Sequence, residues 1–122
     1  MKFRQIGIKV TNLDRAINFY SQLMKCQPLA VFPEPGFAFY DLSGVRLFLD
    51  VNAPRSAIYL EVSNVVEVVK TMSERGVKVV SAPHIVFPDP DGIFDPPGNE
   101  WLAFIEDSEG NNVGLMSREV II

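Results

Sequence analysis

The chain carries one acidic turn and the strand after it twice, and this repeat limits the folds open to it. The clearer copy is Asp107-Ser-Glu-Gly-Asn-Asn-Val-Gly-Leu-Met116, and the weaker copy is Asp41-Leu-Ser-Gly-Val-Arg-Leu-Phe-Leu49. In both, an Asp lies three residues before a Gly, which suits a tight turn in which Asp caps the backbone and Gly takes a positive φ. The two copies align at one offset, 66 residues, so the sequence predicts one structural unit built twice.

The segments upstream of the two turns also match, at an offset of 52 residues. Apolar residues alternate in each, which predicts a half-buried strand, and polar capping residues and a stripe at helical spacing follow. The aligned residues are Ile6, Ile8, Val10, Thr11 and Asn12 in the first copy and Ile58, Leu60, Val62, Ser63 and Asn64 in the second. Each half is therefore predicted to run strand–helix–strand–strand–strand.

The two offsets differ by 14 residues, which indicates an insertion in the second half. Residues 87–100 contain four prolines and two glycines, so they are predicted to form a long loop that is either a lid, a binding loop or disordered. The predicted modules are residues 1–52 and 57–122, the second with the inserted loop 87–100. The predicted fold class is α+β, with two βαβββ modules forming an open, cup-shaped mixed sheet and the helices outside.

Composition excludes several classes of protein. The net charge is −4 and the basic residues are scattered, which argues against a nucleic-acid partner. No apolar run approaches the roughly 20 residues that span a bilayer, so no membrane association is expected. The N-terminus lacks a signal-peptide core, and Cys26 is the single cysteine, so a cytoplasmic location without disulfides is the expectation.

Two further motifs carry a family resemblance. Val10-Thr-Asn-Leu-Asp-Arg-Ala-Ile-Asn-Phe-Tyr20 and Phe104-Ile-Glu-Asp-Ser-Glu-Gly-Asn111, in this duplicated order, resemble the vicinal oxygen chelate superfamily. That superfamily includes glyoxalase I, bleomycin-resistance proteins, methylmalonyl-CoA epimerase and extradiol dioxygenases. Ser108 replaces the proline of the family pattern and Asn12 its aspartate. The resemblance implies a cup that binds a small molecule, and a homodimer.

Metal-dependent members of that superfamily bind a divalent ion through four side chains, one on the first and one on the last strand of each half. The matching positions here are Gln5, Phe48, Ala57 and Gly114. Three of these residue types cannot coordinate a cation, and a divalent site needs several carboxylate or imidazole donors. The sequence therefore predicts no family metal and no other cofactor, unless a divalent metal uses ligands other than the family's.

Strand alternation selects the residues predicted to contact a ligand in the cup. An apolar, aromatic wall with a few polar anchors is typical of small-molecule sites. The predicted ligand-binding residues are Gln5, Lys9, Arg46, Phe48, Asp50, Tyr59 and Trp101. The alternatives are structural: Lys9 would pair with Glu61, and Arg46 and Asp50 would be solvated strand ends.

Two residues are candidates for general-base chemistry. Glu61 is a carboxylate on the predicted cup face, and His84 is the single histidine, beside the predicted loop. His titrates near neutral pH, but each residue also has a structural interpretation, as an ion pair or as a backbone-bonded strand end. The leading hypothesis is a metal-free protein that binds a small organic molecule. The alternatives are a lyase or isomerase that uses Glu61 or His84, a metal-dependent or dioxygenase-like enzyme with non-family ligands, and a domain that only dimerises.

Overall fold

The order of strands and helices follows the predicted repeat. The computed structural model describes residues 1–54, 56–94 and 96–120. Positions 55, 95, 121 and 122, which fall between the two predicted modules, in the predicted loop and at the end of the second module, lie outside the described residues. The elements are β1 (Lys2–Lys9), α1 (Leu13–Met24), β2 (Ala30–Phe32), β3 (Phe37–Leu42), β4 (Val45–Asp50), β5 (Ser56–Glu61), α2 (Val65–Glu74), β6 (Val79–Asp89), β7 (Gly98–Glu106) and β8 (Asn112–Val120).

The chain divides into two compact units. Residues 4–57 form the N-terminal unit, and residues 1–3 with those from 58 onward form the C-terminal unit. The N-terminal sheet has the order β2-β3-β4-β1, and the C-terminal sheet has the order β6-β7-β8-β5. In each sheet the first strand pairs parallel with the last strand of its own unit, and the other pairs are antiparallel. The predicted α+β class with two βαβββ repeats is confirmed.

Each helix is capped by the second residue of the predicted capping pairs Thr11-Asn12 and Ser63-Asn64. Asn12 Oδ1 accepts the Arg15 amide at 3.0 Å, and Asn64 Oδ1 accepts the Glu67 amide at 3.2 Å. Such caps satisfy amides that have no partner within the helix. Each helix then packs its apolar stripe on one face of its own sheet: α1 covers a core around Tyr40 and Leu49, and α2 contributes Val65 and Val69 to the second core. None of the described helices is long and apolar enough to cross a membrane.

Both acidic turns have the predicted geometry. Asp41 Oδ1 accepts the Gly44 amide at 3.0 Å, and Gly44 has a φ of +92°. Asp107 Oδ1 accepts the amides of Glu109 and Asn111, each at 2.8 Å, and Gly110 has a φ of +85°. The hydrogen bonds from the Asn111 backbone and side chain, followed by that from Glu109, lower the pKa of Asp107 because they stabilise its charged form.

The predicted loop 87–100 is corrected by the structure. β6 runs to Asp89 and β7 starts at Gly98, and the two strands pair to the end of that range, with Asp89 opposite Gly98. A strand that pairs on one side tolerates proline, since the missing amide can face away from the ladder. In the C-terminal sheet, β6 pairs with β7 only, and it contains Pro83 and Pro88. Residues 87–89 and 98–100 of the insertion therefore belong to a β-hairpin, and the predicted loop shortens to the segment between Asp89 and Gly98.

A buried charge cluster holds this hairpin in place. Arg118 on β8 lies 2.7 Å from Asp89 Oδ2 and 2.8 Å from Glu100 Oε2, and its Nε donates to the Pro96 carbonyl at 2.9 Å. Asp89 and Glu100 are only 1% and 2% exposed. Burial raises the pKa of Asp89, but the hydrogen bonds from the Phe94 amide, Arg118 and the Ile93 amide outweigh it and lower the pKa.

Replacing Arg118 tests how much this cluster contributes. Arg118→Met keeps an apolar stem but leaves two buried carboxylates without their cation, so we expect a loss of about 3–5 kcal/mol in the free energy of unfolding. Urea unfolding at pH 7 measures it. The matched control is Arg15→Met on α1, where the arginine is exposed and a change within about 0.5 kcal/mol is expected. Equal effects of the two substitutions would contradict a stabilising role for the cluster.

Candidate functional site

Five of the predicted ligand residues lie on one face of the N-terminal sheet. Tyr40, Leu47 and Leu49 pack against α1, so alternation turns the residues between them to the opposite face, called the N-face here. Across β1 and β4, the register pairs Gln5 with Arg46, Gly7 with Phe48, and Lys9 with Asp50, all on the N-face. The predicted residues on the N-face are Gln5, Lys9, Arg46, Phe48 and Asp50.

An aromatic cluster forms the apolar part of the N-face. Phe39 and Phe48 stack with ring centroids 4.7 Å apart and planes 11° apart. Phe37 lies edge-on to both, at 5.6 and 5.5 Å, and Phe32 lies 5.1 Å from Phe37. The Arg46 guanidinium carbon is 5.3 Å from the centroid of Phe39, a distance at which a cation is attracted to a ring face. The N-face thus combines stacked rings with a positive charge.

Gln5, on β1, contributes a buried polar group to the N-face. Its residue is 3% exposed, and among the described residues its buried Oε1 has no hydrogen-bond partner. Burying an amide oxygen without a hydrogen bond costs about 1–3 kcal/mol in proteins, so such atoms are rare in native structures. Gln5 Oε1 is therefore a buried acceptor on the same face of the sheet as the aromatic cluster.

The two remaining polar residues of the N-face bond to the backbone at one end of the sheet. Lys9 Nζ donates to the Val51 carbonyl at 3.2 Å, and Asp50 Oδ1 accepts the Asn52 amide at 3.0 Å. These bonds shape the turn that follows β4. Lys9 and Asp50 thus lie on the same face as the aromatic cluster, and they also stabilise the local backbone.

On the C-terminal sheet, the Tyr59 ring covers Gly114 on the neighbouring strand. Tyr59 on β5 pairs with Gly114 on β8, is 3% exposed, and lies 5.6 Å from the Phe104 ring. A Cβ added at Gly114 would lie 2.5 Å from Tyr59 Cδ2 and 3.0 Å from Cε2. The ring therefore excludes any side chain at position 114.

Glu61 lies at the rim of an open cavity. Its Oε2 is 3.2 Å from Lys2 Nζ, and its side chain is 33% exposed. The cavity has a volume of about 530 Å³ and is also lined by Ser63 and Arg118. The structure thus places Glu61 in an ion pair with solvent access. His84 is exposed, and its Nδ1 lies 2.8 Å from the Ala82 carbonyl oxygen, as in the backbone-bonded interpretation.

The predicted position of Trp101 on the aromatic wall is corrected by the register. Trp101 pairs with Ser117 and packs against the core cluster beneath α2, whereas Tyr59 shares its face with Phe104. Successive residues of a strand point to opposite faces, so Trp101 and Phe104 lie on different faces. Trp101 lines a second cavity of about 470 Å³ at the start of α2, with Ser63, Val66 and Arg118. The sequence did not single out Arg118, which lines both cavities.

The described residues contain no group of three or more His, Cys, Asp or Glu side chains arranged to hold a metal ion. Of the positions that match the family's metal ligands, Gln5 is the one that carries a donor atom. Ala57 and Phe48 carry hydrocarbon side chains, and Gly114 is covered by a tyrosine ring. An amide oxygen alone does not make a site for a divalent cation.

Comparisons with known proteins identify the fold. No family model matches the chain. The trivalent organoarsenical cleaving enzyme of Bacillus sp. (strain MD1) is 29% identical over an alignment of 117 residues, with 85% of this chain and 73% of that enzyme covered.

Solved structures have the same fold at low sequence identity. A glyoxalase/bleomycin resistance protein/dioxygenase superfamily member from Vibrio splendidus 12B01 has a TM-score of 0.72 and 10% identity, over 96% of this chain and 99% of that one. Methylmalonyl-CoA epimerase from Streptomyces coelicolor has a TM-score of 0.61 and 16% identity, over 99% of both chains. The chain therefore has the fold of the glyoxalase/bleomycin resistance/dioxygenase superfamily, the vicinal oxygen chelate fold, and the resemblance seen in its motifs is confirmed at the level of the fold.

Proposed function

We propose that this protein binds a small organic molecule on the N-face, and that it does so without the divalent metal of its structural relatives. Gln5 Oε1 is the observation that carries the proposal. A buried acceptor without a protein partner is costly, and a donor group of a ligand would remove that cost. The atom lies on the same face as the stacked Phe39 and Phe48, which offer apolar contact area.

The residues of the N-face suit a ligand with a flat apolar part and a polar part. Aromatic side chains contribute large contact areas, and stacked rings bind flat molecules with little loss of conformational freedom. Gln5 would accept a hydrogen bond, and Arg46, which is 4% exposed over Phe39, would favour a region of negative potential on the ligand. This division into an apolar wall and a few polar anchors is usual for small-molecule sites.

The absence of a metal is supported by the residues at the ligand positions of the family. Phe48 is part of the aromatic stack, and Gly114 cannot be replaced by a coordinating residue while Tyr59 stays in place. The proposal accordingly assigns no chemical step to a metal. Homodimer formation and a cytoplasmic location remain predictions of the sequence, as does the lack of a nucleic-acid partner.

An enzymatic role is the second candidate, and the organoarsenical cleaving enzyme is the observation that favours it. The alternative is a lyase or isomerase in which Glu61, beside Lys2 and an open cavity, or His84 is the base. A metal-dependent activity would need ligands other than those of the family. Cleavage of a trivalent organoarsenical by the purified protein, with and without added divalent metal, would establish the activity, and no cleavage under either condition would contradict it. Loss of that cleavage in Glu61→Gln would assign the base.

A thermal-shift screen of flat organic molecules tests the binding function. A ligand that binds the folded state raises the melting temperature, by an amount that grows with its concentration relative to Kd. We expect hits with wild type and a shift reduced by at least half in Phe48→Leu, which keeps an apolar side chain but removes the ring. Phe19→Leu is the matched control, because Phe19 is 56% exposed on α1. A broad screen without hits, or hits unaffected by Phe48→Leu, would contradict the proposal.

Calorimetric titration tests the metal-free part of the proposal. Zinc, nickel and manganese are each added to the chelator-treated protein at pH 7. We expect no binding at one ion per chain with a Kd below about 10 μM, since Gln5 supplies one neutral donor and a divalent site needs several charged or imidazole donors. Tight binding at a ratio of one would overturn the metal-free proposal and favour non-family ligands.

Gly114→Ala tests whether the Tyr59 ring fills the ligand position on β8. The added Cβ would lie within 3.1 Å of three atoms of a buried ring, so we expect a loss of about 1–3 kcal/mol in the free energy of unfolding. The double variant Tyr59→Leu with Gly114→Ala should lose less than the sum of the two single variants, because removing the ring relieves the clash. Additive losses would show that the ring does not occupy this space.

A further inference from the structure

The cavity at the start of α2 is large enough for a small molecule. Its volume of about 470 Å³ lies within the range of about 300–1,000 Å³ that is usual for ligand pockets. Trp101, Val66 and Ser63 are among its lining residues, and all of them belong to the C-terminal unit. The cavity therefore shares no residue with the N-face, and the proposed function makes no use of it.

Trp101 gives this cavity an aromatic lining. Its side chain packs on the core cluster beneath α2 but is only partly buried, so part of it remains accessible. Val66 is exposed and adds an apolar side chain to the lining. Such a lining favours a flat apolar ligand, because contacts between rings contribute a large area in a defined geometry.

Several polar groups of the residues that line the cavity are hydrogen-bond donors. A guanidinium has five N–H groups, and four of those of Arg118 donate to the Pro96 carbonyl and to two buried carboxylates. The fifth, on Nη1, has no acceptor among the described residues. The Ser63 hydroxyl and the Trp101 indole N–H also have no hydrogen-bond partner in the described part of the chain. A ligand at this place should therefore carry an acceptor.

The charges around the cavity decide between a neutral and an anionic acceptor. The positive charge of Arg118 is already paired with the two buried carboxylates of the hairpin cluster, at 2.7 and 2.8 Å. Glu119, which also lines the cavity, adds a further negative charge, and the Lys2–Glu61 pair at the adjoining cavity adds no net charge. Negative charges thus outnumber positive ones and repel an anion. A neutral carbonyl oxygen accepts the same hydrogen bonds without that repulsion.

We infer that this cavity is a second ligand site, for a neutral aromatic or heteroaromatic molecule that carries a carbonyl group. The ring packs against Trp101 and Val66, and the carbonyl oxygen accepts hydrogen bonds from Ser63 and Arg118. Aromatic amides and lactams meet this description. Aromatic carboxylates carry the disfavoured charge, and saturated amides lack the flat ring.

Trp101 is the single tryptophan of the chain, so its fluorescence reports on this cavity directly. Benzamide has the ring and a neutral carbonyl, benzoate is its charged analogue, and cyclohexanecarboxamide lacks the flat ring. We expect a saturable change of emission with benzamide, and an affinity at least about fivefold higher than for either other probe. One stacking contact and one repelled charge are each worth roughly that factor.

Free N-acetyltryptophanamide, titrated with the same probes, corrects for collisional quenching. No saturable change with benzamide would overturn the inference. An affinity for benzoate or cyclohexanecarboxamide that equals or exceeds that for benzamide would overturn it as well.

Ser63→Ala tests the hydrogen bond to the carbonyl. Ser63 is exposed, and the substitution removes one donor, so the affinity for benzamide should fall at least about threefold. Ser73→Ala, at an exposed position near the end of α2, is the matched control and should leave that affinity unchanged. Equal affinities of the two variants would contradict the inference. Melting curves of both variants exclude unfolding as the cause of weaker binding.

Glu119→Gln tests the selection against anions. The glutamine keeps an acceptor for the Asn99 amide and removes the charge, so the affinity for benzoate should rise at least about threefold while that for benzamide stays the same. Glu109→Gln, in the turn before β8, is the matched control and should change neither affinity. A benzoate affinity unaffected by Glu119→Gln would show that the preference for a neutral ligand has another origin than the one inferred.

The outcome for this cavity is separate from that for the proposed function. Phe48→Leu, which tests the N-face, should leave the titration of Trp101 emission with benzamide unchanged. Loss of the benzamide signal in Phe48→Leu would instead attribute the binding to the N-face and overturn this inference. A failed screen for N-face ligands would leave the benzamide titration as it is.

Discussion

A four-stranded sheet with a single helix has one face that its own helix does not cover, and the rest of this structure depends on that imbalance. The side chains of a strand alternate, so each strand that gives residues to the helix core gives as many to the other face. In the N-terminal unit, Leu47 and Leu49 go to the core beneath α1, while Arg46 and Phe48 go to the N-face. The chemistry available for binding is therefore fixed by the residues between the core positions.

The two units use that second face differently, although they share one topology. In the C-terminal unit, Arg118, Asp89 and Glu100 form a buried ion network that holds the β6–β7 hairpin, and Tyr59 fills the space over Gly114. The charged groups of this network are paired with one another. In the N-terminal unit, the rings stack on each other, and Gln5 Oε1 has no hydrogen-bond partner in the part of the chain that the structure describes. Buried polar groups without a partner are tolerated where function requires them, which makes the N-face the better candidate site.

The sequence correctly predicted the features that depend on interactions between residues close together in the chain. The caps at Asn12 and Asn64, the turns at Gly44 and Gly110, and the order of elements could all be read from side-chain type and spacing. The face of Trp101 could not, because Leu102 and Phe104 alternate with Ala103 and Ile105, and both faces of β7 are apolar. Hydrophobicity then does not tell which residues of β7 face the helix, and only the pairing with β8 decides it.

The β6–β7 hairpin was missed for another reason. The prolines suggested a loop, whereas the contacts of Arg118 that order the hairpin join residues 18 and 29 positions apart in the sequence.

The fold alone does not decide the function, because one fold hosts many unrelated activities, and an epimerase is among the structures that share it here. At the four positions that match the metal ligands of the superfamily its motifs resemble, this chain carries a donor atom only at Gln5. A metal site requires several donors at once, and the single amide oxygen of Gln5 is the ground for proposing that binding here needs no metal. An amide oxygen kept in that situation still accepts a hydrogen bond, and it does so more strongly when water is excluded. Gln5 beside Phe48 thus fits recognition by hydrogen bonding and stacking better than recognition by coordination.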